Sequence, residues 1–360
     1  MAGKRVSIFE VAKAAGVSHQ TVSRVINHSP NVSPATRAKV QAAIDRMGYR
    51  PSSAARALAT QRTKTIALIA GGVSYFGPLS TISSIEGMAR KHDLYVSSSI
   101  LNDHEYTQEA FEQVANACLE QGVEAFVFVA PTEPMVQAAL GARIKVPRVL
   151  LTSSHGETDI ESVTSKDPGI ACLGIDQWGA MRTIAKHLAS LGHASALYLA
   201  GPGDWRDAAT RRIAWEHESA AAGIKSDVIE VGSWSGEDAY QRMGSYLDAL
   251  ADPKADMPTA IVAANDMQAL GVRRALYDRG FYVPRDVSLV GFDDMPGVDN
   301  AIPPLTTISP DFSNLGVAAM STVFSLMGGG NPVDLPLRHG VGVIGAPLVV
   351  RESTAAPAAR

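Results

Sequence analysis

The chain has few cysteines, no long apolar runs and no catalytic signature, and each lack excludes something. Its two cysteines, Cys118 and Cys172, sit in separate apolar contexts without metal-ligand spacing. That argues against a disulfide framework and a zinc site, and for buried thiols in a reducing compartment. The first residues carry no apolar run of the kind a secretory signal needs, and no segment approaches a membrane span. A cytoplasmic protein without membrane contact is therefore expected. No G-x-S-x-G, H-E-x-x-H or Walker loop is found. AGPGDWRDA follows a strand-like run, but Arg206 stands where a dinucleotide loop needs its third glycine. The expectation is no enzymatic activity, no cofactor and no metal.

What is present is unevenly distributed. Apolar residues make up 46% of the 360-residue chain and charged ones 19%, a globular balance with room for two or three cores. The net charge is −4, yet residues 1–62 hold ten Lys and Arg against Glu10 and Asp45, a charge of +8. The remainder therefore carries −12. A basic head on an acidic body points to a polyanion partner for the head alone, with a solvated basic surface as the plainer alternative.

The head reads as three short helices. Ser7-Ile-Phe-Glu10 is a capping box, and Ile8, Val11, Ala12 and Ala15 form an apolar stripe that Gly16 ends. Ser18 can cap a second helix with Val22, Val25 and Ile26 inward. Ser33-Pro34 opens a third, with Val40, Ala43, Ile44 and Met47 on one face and Gly48 at its end. A glycine turn between the first two makes a helix-turn-helix. The second helix turns His19, Gln20, Thr21, Ser23 and Arg24 outward. Gln pairs with adenine and Arg with guanine, while hydroxyls satisfy phosphates, so the face suits a major groove. A purely solvated face would carry Glu and Lys, and this one has neither.

AGVSHQTVSRVIN, followed by NVSPATRAKVQAAIDRMGYRPSSAARALAT, closely resembles the DNA-binding head of the lactose-repressor (LacI/GalR) family of bacterial transcription regulators. The resemblance implies that His19, Gln20 and Arg24 touch base edges and that Thr21, Ser23 and Asn27 contact phosphates. It implies a hinge helix containing Ala55 and Leu58, which would form on DNA and insert Leu58 into the minor groove.

Beyond residue 64 short β-rich runs alternate with amphipathic stretches. TIALIA (65–70), YVSSSIL (95–101), EAFVFVA (124–130), RVLLTS (148–153), CLGID (172–176), ALYLAG (196–201), AIVAAN (260–265) and VSLVGFDD (287–294) read as buried parallel strands. That is too many for one doubly wound unit, so an α/β core of two lobes with a cleft is expected. GIDQWGAMRTIAKHLASLGH, LYLAGPGD, PTAIVAANDMQALGV and IPPLTTISPDF resemble the family's effector core, which looks like the periplasmic sugar-binding fold. The expected division is a helix-turn-helix at 1–49, a hinge at 50–62, a core at 63–350 and a flexible tail at 351–360. Within the core the N-lobe is expected at about 63–160 plus 296–328. The C-lobe is expected at about 161–295 plus 329–350, with crossovers at 156–169 and 296–310.

Ligands in such sheets sit at the carboxyl ends of strands. Those ends offer Tyr75-Phe76, Thr152, Asn265-Asp266 and Asp293-Asp294, with Arg211 on the helix after LYLAG. Carboxylate, amide and guanidinium beside aromatic faces suit a polyol. Asp266 reads as a helix N-cap, Trp178 and Trp205 as packing or rim residues, and His187 and His193 as structural. The resemblance implies Arg211, Asn265 and Asp293 as polar effector contacts, Trp234 and Phe312 as aromatic walls, and Tyr75 as a further contact. It places Thr152 where some sugar-responsive members carry an aspartate. Together these imply a homodimeric, ligand-responsive repressor that binds a palindromic operator and a small-molecule effector, a sugar by this reading. The alternatives are a cytoplasmic binding protein for a sugar or purine, acting as a corepressor-dependent regulator or without DNA function, and an enzyme on a two-lobed scaffold.

Overall fold

The computed structural model describes residues 6–27, 29–50, 57, 62–102, 107–331 and 333–358. The chain divides into two compact units, Met1–Lys64 and Thr65–Arg360.

The first unit contains α1 (Ile8–Ala15), α2 (His19–Ile26) and α3 (Pro34–Met47). Each start has a local cause. Ser7 Oγ accepts from the Glu10 amide while Glu10 Oε2 accepts from the Ser7 amide at 2.7 Å. Ser18 and Ser33 cap the other two through the amides of Thr21 and Thr36. Gly16 and Gly48 end α1 and α3 in the left-handed region, where a glycine pays no steric cost. Val11, Ala12, Val22, Val25, Val40 and Ala43 close into one small core.

From Thr65 strands and helices alternate: β1 (Thr65–Ala70), α4 (Phe76–Lys91), β2 (Tyr95–Ile100), α5 (Gln108–Glu120), β3 (Ala125–Val129) and α6 (Glu133–Gly141). There follow β4 (Arg148–Leu151), the short α7 (Ile160–Thr164), β5 (Ile170–Ile175) and α8 (Gln177–Ser190). Next come β6 (Ser195–Ala200), α9 (Arg206–Ala221), β7 (Lys225–Glu230), α10 (Gly236–Ala249) and α11 (Pro253–Asp256). The chain continues through β8 (Ala260–Ala263), α12 (Asp266–Asp278), β9 (Ser288–Phe292), β10 (Thr306–Ile308) and α13 (Phe312–Leu326). It closes with β11 (Leu337–Arg338), β12 (Val341–Ile344) and β13 (Leu348–Val349).

Two sheets result. The first has the order β11-β12-β5-β4-β3-β1-β2 and the second β13-β10-β9-β8-β6-β7. All neighbours are parallel except the pairs β11–β12 and β10–β13. Each sheet is covered on both faces. Ile66 and Leu68 of β1 pack with Ile82 and Ile85 of α4 and with Met320 and Val323 of α13. Ala67 and Ile69 face Phe111 of α5 and Val136 of α6. In the second lobe Tyr198 packs with α8 and α9, while Leu197 and Leu199 face α10 and α12. Burial on both faces explains why the central strands are apolar without alternation.

The lobe boundaries differ from the expected ones. β5 pairs with β4, so the first crossing falls at Asp176 and not within 156–169. The polar 156–169 stretch is a surface loop carrying α7. β10 stays in the second sheet, which puts the next crossing between Ile308 and Phe312. β11 and β12 return to the first sheet, so a third crossing lies at 345–347, and residues 329–344 belong to the N-lobe. The expected strand at 95–101 is an exposed edge, not a buried strand. Nor is the tail loose over its described part. Ser353 is buried, its hydroxyl accepts from the Thr306 amide at 2.7 Å, and it donates to the Leu289 carbonyl at 2.6 Å. His193 and Ser288 hold the Ala355 carbonyl.

Candidate functional site

On the first unit, α2 presents His19, Gln20, Arg24 and Asn27 to solvent, with Thr21 and Ser23 half-buried. Four of these side chains are held locally, Asn27 Nδ2 donating to Ser23 Oγ at 3.4 Å among them. The His19 ring lies 5.0 Å from the exposed ring of Phe9, and the Thr21 hydroxyl pairs with Ser18 Oγ at 3.0 Å. Arg37 is turned inward, donating to the Ser29 carbonyl at 2.7 Å, and so ties α3 to the end of α2. Gln20 and Arg24 lie four residues apart on one face and carry no acidic neighbour on α2. Ala55 and Leu58 lie outside the described residues.

Between the two lobes of the second unit lies a cavity of about 400 Å³. Tyr75, Arg211, Trp234, Asn265, Asp293 and Phe312 all line it. Trp205, set aside above as a packing or rim residue, also stands in its wall. Gln177 and Asp207 are further lining residues that sequence reading missed. Asp207 had a findable signal, since it sits one turn before Arg211 on the same face of α9. Trp178 is elsewhere, donating its Nε1 hydrogen to Glu218 at 2.6 Å and stacking on His155.

The wall is built by close approach. Tyr75, Trp205 and Trp234 form a chain of edge-to-face rings, 5.0 Å and 5.5 Å apart. A Cβ on Gly72 would lie 2.5 Å from the Trp205 ring, and one on Gly201 would lie 2.7 Å from that of Trp234. Only glycine admits the two indoles at those depths.

Arg211 is buried at 4% exposure and is held from three sides. Its Nε donates to Gln177 Oε1 at 2.8 Å, one terminal nitrogen to the Ala264 carbonyl, and the other lies 3.8 Å from Asp293 Oδ1. The guanidinium carbon sits 3.5 Å from the Phe292 ring centroid. Asp293 and Asp294 both adopt left-handed backbone, with φ of 109° and 50°. Such geometry costs about 1–3 kcal/mol per residue and persists only where the surroundings hold it. Here the Asp293 amide donates to the Ile308 carbonyl at 2.9 Å, and Asp294 pairs with Arg351 at 2.6 Å. The turn therefore sends one carboxylate to Arg351 and the other to the cavity. Burial pushes the Asp293 carboxyl up to about 8, against the pull of Arg211.

At the β8 end Asn265 keeps its place in the cavity wall and also takes the cap expected of Asp266. Asn265, not Asp266, caps α12, its Oδ1 accepting from the Gln268 amide at 2.8 Å. Its Nδ2 donates to the Trp234 carbonyl at 3.2 Å, which fixes the indole. Asp266 is fully buried beneath and accepts from the Thr307 hydroxyl and the Met295 amide. Two lining residues keep buried polar atoms without partners, Trp234 Nε1 and Thr152 Oγ1. A buried donor left unmade costs about 1–3 kcal/mol, so both atoms favour a bound molecule that satisfies them.

Beside the cavity the lobes are fastened. The Arg206 amide donates to the Pro131 carbonyl at 2.9 Å, and Thr132 bridges Trp205. The Arg206 side chain, 2% exposed, crosses into the first lobe, donating to the Ser153 carbonyl and pairing with Glu133. Burial raises the Glu133 carboxyl, but the Thr158 hydroxyl and Arg206 outweigh it and hold the group below the usual carboxylate range.

A surface-reading helix-turn-helix joined to a two-lobed core with a polar interlobe cavity defines a class of ligand-responsive DNA-binding regulators. Two family models match: "Bacterial regulatory proteins, lacI family" over residues 7–52 and "Periplasmic binding protein-like domain" over residues 185–354. The chain is 31% identical to the lactose operon repressor of Escherichia coli (strain K12), over 98% of this chain and 92% of that protein. It is 30% identical to catabolite control protein A of Priestia megaterium, over 89% of this chain and 92% of that protein. It is 30% identical to the HTH-type transcriptional regulator GalS of Salmonella typhimurium (strain LT2), over 93% of each. The lac repressor dimer bound to operator and the anti-inducer ONPF superimposes with a TM-score of 0.83 at 28% identity, over 98% of this chain and all of that one. The complex of the regulator CelR with cellobiose gives 0.65 at 26% identity, over 97% of this chain and all of that one. The chain belongs to the lacI family of bacterial regulatory proteins. It is a ligand-responsive DNA-binding transcription regulator and not an enzyme. Among the described residues no helix is long and apolar enough to cross a membrane.

Proposed function

We propose that the chain is a homodimeric, sugar-responsive repressor of carbohydrate uptake or breakdown genes, working in the bacterial cytoplasm. His19, Gln20 and Arg24 read base edges of a palindromic operator, while Thr21, Ser23 and Asn27 hold phosphates. Ala55 and Leu58 add contacts from the linker. The effector occupies the interlobe cavity, with Arg211, Asn265 and Asp293 as polar contacts and Tyr75, Trp234 and Phe312 as apolar walls. Its preference for one lobe arrangement supplies the coupling free energy that changes operator affinity. The observation that carries this reading is one cavity lined by all six residues, with two buried polar atoms still lacking partners. Relatives support the rest: the lac repressor is solved as a dimer on operator, and CelR with cellobiose. The free, buried Cys118 and Cys172 agree with a reducing compartment.

The test has two arms. A sugar screen by thermal shift should yield a ligand that stabilises the parent and not Arg211→Ala. That ligand should then change retention of a palindromic duplex, whose binding should fall steeply with salt. A chain that binds no duplex at low salt, or whose operator affinity ignores every stabilising sugar, rules the reading out.

A further inference from the structure

The cavity is polarised between the lobes in a way that bears on ligand charge. Its first-lobe wall includes Tyr75, Phe76, Leu151, Thr152, Phe312 and Leu315, and among the described lining residues that lobe supplies no side chain charged at neutral pH. The lining carboxyl and guanidinium groups are Asp207, Arg211 and Asp293, all from the second lobe. Arg211 is the sole cation of the three, and Gln177, the Ala264 carbonyl and Asp293 already surround it. Asp207 differs. It is half-buried and its carboxylate accepts from Gln177 Nε2 at 3.2 Å, leaving acceptor capacity unused, since a carboxylate has about four lone-pair sites.

An incoming phosphate needs free cations or open helix N-termini. The helix starts around the cavity do not supply them. Asp176, Ser235 and Asn265 cap α8, α10 and α12 with their own oxygens. The α9 start carries Asp207 in its first turn. The α4 start has no side-chain cap, but Pro78 contributes no N–H there, and the Phe312 ring stands 3.0 Å from the Cβ position of Gly77. Hydroxyl groups, by contrast, find acceptors at Asp207 and Asp293 and a donor in the unpartnered Trp234 Nε1.

We infer that the cleft accepts an uncharged carbohydrate and rejects phosphorylated or carboxylated ones, and that Asp207 is the residue that makes the distinction. Its carboxylate takes hydrogen bonds from vicinal hydroxyls, and the same charge repels a second anion in a site where Arg211, the one cation among the described lining residues, already has Asp293 at 3.8 Å. This rests on the sugar-effector reading given above.

Isothermal titration of the full chain with matched probes separates the two. The probes are glucose, galactose and cellobiose, each beside its 6-phosphate, with hypoxanthine as a non-sugar control, against the parent and Asp207→Asn. The expected result is a neutral sugar that binds while its phosphate binds roughly a hundredfold more weakly, since like-charge juxtaposition costs several kcal/mol. Asp207→Asn should lose about tenfold for the neutral sugar, the worth of one hydrogen bond to a charged group, and narrow the gap to the phosphate. The thermal midpoint of the ligand-free variant reports folding separately. A phosphorylated sugar that binds the parent as well as its neutral partner overturns the inference and leaves the sugar reading standing. An unchanged gap in a folded Asp207→Asn removes the role of that residue. Binding of hypoxanthine alone, or of no probe, overturns both.

Discussion

The two lobes of the core are built alike and serve the cleft differently. Both are parallel sheets covered by helices on both faces, and both send strand ends toward the same cavity. The first lobe lines it with rings, aliphatic groups and one unpartnered hydroxyl, while the second brings every lining carboxyl and guanidinium group among the described residues. A shared fold therefore fixes where a ligand sits without fixing what it is. Polar recognition here lies on the second lobe, and the first supplies an apolar face that closes against it.

The largest expected effect comes from the side chain that breaks this division. Arg206 belongs to the second lobe but is buried against the first, on Glu133 and the Ser153 carbonyl. Removing one member of a buried pair strands the other, at about 3–5 kcal/mol. Urea unfolding of Arg206→Ala should show a loss of that size, and Glu133→Gln a smaller one. A loss below about 1 kcal/mol would place the pair among ordinary surface contacts.

Next in size is Arg211→Ala. The substitution strips the second-lobe wall of its cation and leaves Gln177 Oε1 and the Ala264 carbonyl without their donor. Sugar affinity should drop by about a hundredfold, or about 3 kcal/mol, read by titration. An equal drop from a conservative first-lobe change such as Phe312→Leu would erase the asymmetry between the walls.

The third prediction concerns pH. Asp293 is pushed up to about 8 and Asp266 up to about 7, burial being the first cause in both. A carboxyl whose folded value exceeds its unfolded one binds more protons when folded. Its contribution is therefore present at acid pH and is lost as pH rises through the folded value. Core stability should fall between about pH 4 and pH 8, and Asp293→Asn should make that decline shallower in urea unfolding, by at most about 1.4 kcal/mol per pH unit. An identical slope in the variant would assign the decline to Asp266 alone.

What could be read from sequence follows the range of the forces involved. Ser7, Gly16, Ser18, Ser33 and Gly48 act within one helical turn, so the three head helices were legible to the residue. Central strands such as TIALIA were legible because burial on both faces makes them continuously apolar. Which sheet a strand joins depends on partners far along the chain, so β5 could not be kept from the second lobe, nor β11 and β12 from it, by pattern alone. β7 (KSDVIE) escaped notice because an edge strand needs no apolar run. The six cavity residues followed from the strand-end rule and family resemblance together. Asp207 was passed over because an acid in a first helical turn reads as a dipole partner before it reads as a ligand contact. The cap falls on Asn265 and not Asp266 because both are good caps, and only the fold shows which of the two Thr307 and Met295 reach.

The smallest effect should come from the unpartnered hydroxyl that the first lobe turns to the cavity, Thr152. Thr152 Oγ1 is buried without a hydrogen bond, beneath a backbone whose carbonyl crowds Gly174. Thr152→Val keeps the shape and removes the unsatisfied group, so the ligand-free core should gain up to about 1 kcal/mol in urea unfolding. The same change should weaken sugar binding by no more than about tenfold, because one neutral hydrogen bond is at stake. The sign of the stability change carries the information. If the valine destabilises the ligand-free protein, the hydroxyl is already satisfied by ordered water, and the first lobe is a wetter wall than its side chains suggest.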